Sequence, residues 1–297
     1  MLNLLQNRII LMKSKRRVIN FGAGPAMLPD EVILKAQEEL HNWQGTGLSV
    51  LEMSHRGDEF QEIILQTKGS LKRLLQLPDE YEILLLQGGA RLQFSMIPMN
   101  YYDEPFLPHY FISGYWSTKS FEEASFVQDG TSSKIISNKS PFKILATDQW
   151  KYPREASYYH LTLNETIDGV EISSVPEDLN GKLIADVSST LLSRPFDVRP
   201  YKLIYACAQK NLGCAGLTFV ILNKESIPLS KKKIPRMLSY EEHIFEKSLL
   251  NTSPTFSVYI SSLMFKWIEA KGGLDYIYKE VKRKAKILYS CIDSSDF

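Results

Sequence analysis

Three short stretches of the 297-residue chain combine residue types that covalent and proton-transfer chemistry requires. In Leu84-Leu85-Leu86-Gln87-Gly88-Gly89-Ala90-Arg91-Leu92-Gln93-Phe94, an apolar strand pattern meets a glycine turn and then a helical pattern. Backbone N–H groups at such a helix start can hold a phosphate, and glycines admit close backbone approach. The same pattern also serves as a plain tight turn, and neither P-loop spacing nor a complete GxGxxG is present. In Ala185-Asp186-Val187-Ser188-Ser189 a carboxylate follows an apolar run. Asp186 reads either as a helix cap or as a buried acid whose desolvation needs a cation or a donor to offset it. In Tyr205-Ala206-Cys207-Ala208-Gln209-Lys210-Asn211-Leu212-Gly213, a lysine stands behind an apolar run among small residues. Lys210 is either an ordinary lysine or an amine able to form a Schiff base with a flat carbonyl partner.

Taken together, the three stretches point to pyridoxal phosphate: a phosphate cup, a carboxylate for the pyridine nitrogen and a lysine for the aldehyde. Elements must hold them in place. Val32, Ile33, Ala36, Leu40 and Trp43 predict a helix from Pro29 to Trp43. A second is predicted from Asp58 to Leu75, with Phe60, Ile63, Ile64, Thr67, Leu71 and Leu74 inward and Pro78 blocking its continuation. The runs Ile83–Leu86, Leu183–Ala185, Leu203–Tyr205 and Leu217–Leu222 read as buried strands, of the kind parallel sheets bury on both faces. A helical stretch from Ser257 to about Tyr289 is interrupted at Gly272-Gly273. The fold class is α/β. Gly22-Ala23-Gly24-Pro25 stops short of a dinucleotide motif and follows no strand pattern.

Composition excludes other classes. Lys plus Arg number 35 against 34 Asp plus Glu, a net charge of +1, which lacks the basic surface a nucleic-acid binder needs. Hydrophobic residues make up 44% and aromatics 11%, which excludes a disordered chain. No apolar run reaches the roughly 18 residues of a membrane-spanning helix. Three cysteines without CxxC spacing (Cys207, Cys214 and Cys291) argue against a disulfide framework or a zinc site and favour a cytoplasmic setting. Lys13, Lys15, Arg16 and Arg17 read as a solvated basic leader over residues 1–17, and Met12 offers an alternative start that would leave residues 1–11 as an upstream artefact.

The chain resembles phosphoserine aminotransferase, a family of fold-type I pyridoxal-phosphate enzymes. The resemblance rests on Asn20-Phe21-Gly22-Ala23-Gly24-Pro25-Ala26-Met27-Leu28-Pro29, Ser54-His55-Arg56-Gly57, residues 88–94, Asp186-Val187-Ser188-Ser189 with Ser193-Arg194, residues 208–213, and Asn251-Thr252 with Pro254-Thr255-Phe256. It implies a mainly parallel sheet in a large cofactor domain over 18–270, with helices on both faces, and the start of a small domain over 271–297. Lys210 would hold the cofactor aldehyde and move the proton between substrate Cα and cofactor C4′. Asp186 would pair with the pyridine nitrogen, Trp116 stack on the ring, and Thr166 bond the phenolic oxygen. The phosphate would rest on Ala90, Arg91 and Gln209, with Asn251 and Thr252 of a neighbouring subunit, which implies a homodimer with shared sites. His55 and Arg56 would face the substrate.

The implied reaction moves an amino group from L-glutamate to 3-phosphohydroxypyruvate, giving O-phospho-L-serine and 2-oxoglutarate in serine biosynthesis. The analogous 4-phosphohydroxythreonine step of vitamin B6 synthesis is not separated from it. The family continues beyond Ile292-Asp293-Ser294-Ser295-Asp296-Phe297 into a segment carrying substrate-binding arginines, so the resemblance also implies truncation at the C-terminus. The alternative reading is accordingly a catalytically impaired, pyridoxal-phosphate-binding dimer or a remnant without function.

Overall fold

The computed structural model describes residues 17–138, 142–227 and 233–295. The basic leader and the Met12 start lie outside the described residues, except for Arg17. Its guanidinium pairs with Asp30 and donates to the Leu28 carbonyl at 3.0 Å.

Seven strands form the main sheet: β1 (Tyr81–Leu86), β2 (His109–Ile112), β3 (Thr131–Lys134), β4 (Tyr159–Thr162), β7 (Leu183–Asp186), β8 (Tyr201–Cys207) and β9 (Thr218–Asn223). A separate hairpin pairs β5 (Asn164–Glu165) with β6 (Val170–Glu171). The spatial order is β1-β9-β8-β7-β4-β2-β3. Neighbours from β8 to β3 run parallel, whereas β9 lies antiparallel to both β8 and β1. The sheet is therefore mainly parallel but mixed. Leu217–Leu222, read with the parallel strands, is the exception, because burial on both faces yields a continuous apolar run in either direction.

Alternation along the strands feeds two cores. Ile83 and Leu85 of β1, with Phe219 and Ile221 of β9, face one core together with helices α2 (Asp58–Leu75) and α6 (Thr255–Ala270), which supply Phe60, Ile63, Leu71, Val258 and Phe265. Leu84, Leu86, Val220 and Leu222 face the other, against α3 (Gly89–Tyr101), α4 (Tyr115–Ala124) and the short α5 (Tyr240–Phe245). Helices thus cover both sheet faces.

Helix α1 (Asp30–Glu39) is shorter than its apolar period predicts: Leu40 is exposed, Glu39 is buried instead, and Trp43 belongs to a separate 3-10 turn. Glu39 tolerates burial because Tyr259 Oη donates to it at 2.7 Å and Lys35 pairs with it at 3.0 Å. Helix α2 keeps its predicted limits, but Gln76 in the left-handed conformation ends it before Pro78 can act, and Leu75 is more deeply buried than Leu74. Beyond the Gly272-Gly273 break, α7 (Gly273–Asp293) buries only Leu274.

Candidate active site

The parallel strands deliver their carboxyl ends to one edge of the sheet, where ligands bind in open α/β folds. β1 ends at Gln87-Gly88, β2 at Ser113-Gly114, β4 before the β5–β6 hairpin, β7 at Asp186 and β8 three residues before Lys210.

Lys210 and Thr166 meet: Lys210 Nζ donates to Thr166 Oγ1 at 2.6 Å. Thr166 Oγ1 in turn donates to Ser189 Oγ at 3.3 Å, and Ser189 Oγ to Asn164 Oδ1 at 3.0 Å. The amine is thus tethered by a hydroxyl rather than by a carboxylate. Asn211 fixes the other side of the loop, donating to the Ser189 and Leu191 carbonyls.

Asp186 is buried, and its Oδ1 accepts the Ser188 N–H at 2.8 Å. Burial pushes its pKa up; the Ser188 bonds and the charge of Lys210 pull it back, and the charge of Glu165 adds to the rise. The helix-cap reading is not met, because a turn and no helix follows β7; the bond to the Ser188 N–H caps that turn, and the carboxylate lies in a buried position where a cationic ring nitrogen would offset its desolvation. Beside it in register is Tyr205, whose hydroxyl meets His160 Nε2 at 3.0 Å. Burial holds His160 down to about 3, so that imidazole stays neutral.

Conformation and packing both require glycine in this turn. Gly88 has φ +88°, and a Cβ there would come within 2.4 Å of Leu92. At the start of α3, the Ala90 N–H donates to Cys207 Sγ at 3.1 Å, and the Cys207 N–H donates to Ser188 Oγ at 3.1 Å. Arg91 is exposed in the first turn of α3. Gln209 presents its carbonyl to the Ala26 N–H at 2.8 Å, and a Cβ on Gly24 would lie 3.3 Å from Lys210 Cγ. The Gly-Ala-Gly-Pro segment therefore packs on the lysine stem. Its glycines were visible in the sequence; their target was not.

Trp116 is half-buried, and its indole nitrogen has no hydrogen-bond partner among the described residues although the atom itself is buried. Its backbone N–H donates to Glu165 Oε2 at 2.7 Å. Asn251 Nδ2 donates to Gln87 Oε1 at 2.7 Å, and Gln87 Nε2 reaches the Thr252 carbonyl at 3.5 Å, so both residues lie beside the glycine turn of their own chain. Arg56 is exposed and donates to the Leu249 carbonyl at 3.4 Å, while the His55 carbonyl accepts from Gln61 at 3.4 Å. Among the described residues no hydrogen bond or ion pair joins either residue to Lys210.

Sequence reasoning missed Glu165, Asp168 and Cys207 as parts of this site. The one signal was Gly114, a helix start with no side chain to cap it.

A lysine behind one strand end, a buried carboxylate on the next and a glycine-turn helix start on a mainly parallel sheet define the fold-type I aminotransferase scaffold. The family model for class-V aminotransferases matches residues 18–297. The chain is 44% identical over 290 residues to phosphoserine aminotransferase 2, chloroplastic, of Arabidopsis thaliana, covering 95% of this chain and 67% of that protein. It is 42% identical over 287 residues to phosphoserine aminotransferase of Acinetobacter baylyi, covering 95% and 78%. The solved phosphoserine aminotransferase of Bacillus circulans subsp. alkalophilus superposes with a TM-score of 0.89 at 39% identity, covering 94% of this chain and 78% of that one. A pyridoxal-phosphate-bound phosphoserine aminotransferase from Trichomonas vaginalis superposes at 0.87, with 39% identity and coverage of 94% and 83%. The chain belongs to the class-V aminotransferase family, among the phosphoserine aminotransferases.

Proposed function

We propose that the chain binds pyridoxal phosphate and transfers an amino group between L-glutamate and 3-phosphohydroxypyruvate. The observation that carries this reading is Lys210 held on Thr166 at one strand end with Asp186 buried at the next. The residues fit the cofactor: among the described residues the buried Asp186 carboxylate has no ion-pair partner and the buried Trp116 indole nitrogen no hydrogen-bond partner, and the start of α3 has no side-chain cap. Pyridoxal phosphate supplies an electrophilic aldehyde on an electron-withdrawing ring.

In this reading Lys210 Nζ would hold the aldehyde and, as a free amine, would move the proton between the substrate Cα and the cofactor C4′. Asp186 stabilises positive charge on the ring nitrogen, an electrostatic role that a buried carboxylate performs without reorganising. Trp116 orients the ring and excludes water from one face. Thr166, its hydroxyl already aligned with Lys210, bonds the phenolic oxygen. Ala90, Arg91 and Gln209 receive the phosphate, helped by the start of α3. Within one chain Asn251 and Thr252 bond Gln87; it is the resemblance that assigns them to the phosphate cup of a second subunit, and with it a homodimer as the working form. Arg56, with His55, meets the anionic substrate. α7 begins a smaller second domain after the large one over 18–270. Among the described residues no helix is long and apolar enough to cross a membrane. The cysteine usage, three without CxxC spacing, supports our placing the reaction in the cytoplasm.

The test is a half-reaction. The chain loaded with pyridoxal phosphate turns yellow, and L-glutamate bleaches it with release of 2-oxoglutarate. Lys210→Ala lowers the rate by roughly 10²–10⁴-fold, the range of a lost acid–base group. A yellow chain that glutamate leaves unchanged would reassign it to cofactor binding without transfer.

A further inference from the structure

Glu165 is completely buried, and both of its carboxylate oxygens are directed at the start of α4. Oε1 accepts the Ser117 N–H at 2.9 Å and the Ser113 hydroxyl at 3.1 Å; Oε2 accepts the Trp116 N–H at 2.7 Å. Asp168 takes the remaining Tyr115 N–H at 2.7 Å. A helix start exposes N–H groups that need acceptors, and here the N-cap, Gly114, has no side chain to offer. Gly114 has to be small as well, since a Cβ would sit 2.4 Å from Asp168 and 2.7 Å from Glu165. The two carboxylates come from the β5–β6 hairpin, on either side of Thr166.

We propose that Glu165 is a positioning residue for cofactor capture, fixing the backbone of Trp116 so that its indole covers the place that Lys210 and Thr166 define. The indole makes no hydrogen bond of its own among the described residues, so its placement derives from its backbone and its packing. One hairpin then sets two walls of the site: Thr166 on the lysine and Glu165 on the tryptophan. This inference rests on the pyridoxal phosphate reading above.

The test is a double-mutant cycle on pyridoxal phosphate affinity, read from the visible absorbance as apo protein is titrated. Glu165→Gln puts an amide in place of one acceptor and weakens binding by ~10-fold or more. Trp116→Phe weakens binding too, and the double variant binds about as well as Trp116→Phe alone, because Glu165 acts through Trp116. Ala124→Gly, at the far end of α4, lowers the melting temperature yet leaves affinity within about twofold. Where Glu165→Gln fails to fold, Glu165→Asp enters the same cycle, restoring the charge with part of the affinity. Additive losses, or an equal loss of affinity in Ala124→Gly, would overturn the inference and leave the function standing. A wild-type chain that takes up no pyridoxal phosphate would overturn both.

Discussion

Lys210 and Thr166 lie 44 residues apart in sequence, yet a 2.6 Å hydrogen bond joins Nζ to Oγ1. The lysine follows the buried strand β8, and the threonine sits in a two-stranded hairpin outside the main sheet. A lysine left free would lose up to about 2 kcal/mol of rotamer entropy on being ordered. Here the neighbouring hydroxyl, itself bonded to Ser189, orders it in advance.

Thr166→Val keeps the shape of that neighbour and deletes its oxygen. The glutamate half-reaction slows by roughly 10–100-fold, the scale of a misplaced reacting group, while the melting temperature stays close to wild type. Stopped-flow bleaching reads the rate. An unchanged rate would show that the contact is incidental.

Asp186→Asn separates stability from function. Burial raises the Asp186 pKa, so above the ordinary carboxylate range the folded chain holds a proton that the unfolded chain has released. Apo stability therefore falls as pH rises through that window, and the neutral amide removes the penalty. At neutral pH the apo variant melts higher, by about 2–4 °C for each kcal/mol gained, while its pyridoxal phosphate affinity falls. Calorimetry of apo and loaded forms checks both halves.

His160 sets part of the acid limit. Burial lowers it from 6.5 to about 3, so the unfolded chain takes the proton first as pH falls. Its contribution to stability is complete above about pH 6.5 and is lost toward pH 3, at up to about 1.4 kcal/mol per pH unit. His160→Gln flattens that limb in urea unfolding at about pH 5 against about pH 7. Some slope persists from His109, which burial lowers to about 4. An unaltered slope in His160→Gln would assign the acid sensitivity elsewhere.

Gly114→Ala tests the packing around Trp116. The added methyl meets Asp168 and Glu165 inside contact distance and costs about 1–3 kcal/mol as an overpacked site. Pyridoxal phosphate affinity drops with it, in contrast to an equally destabilising change in α2. Equilibrium unfolding and cofactor titration give the two numbers.

Much of this was legible along the chain. Lys210 and Asp186 lie at the ends of apolar runs that mark strands, and the Gly88-Gly89 pair marks a turn, so their places in the fold were readable from their neighbours. The direction of β9 was not legible, because a strand buried on both faces reads alike either way. Strand β3 escaped because Thr131–Lys134 is polar and largely exposed, and β2 escaped because His109–Ile112 is only four residues long, too short a run to mark a strand. Glu165 escaped for a different reason. Its partners lie 48 to 52 residues away, and a long-range carboxylate at a helix start leaves no mark beside it in sequence.

The pairing of β1 sets a schedule for making the protein. Its sheet partner is β9, from Tyr81 opposite Asn223 to Leu86 opposite Thr218. At ~5–20 residues per second, synthesis brings out the second strand ~7–30 s after the first. Until then β1, which leads into the glycine turn at Gly88, has no sheet partner, although the helix after the turn has long been made. The cofactor pocket is therefore a late product of translation, and the nascent chain carries the apolar segment Ile83–Leu86 without its β9 partner for that interval.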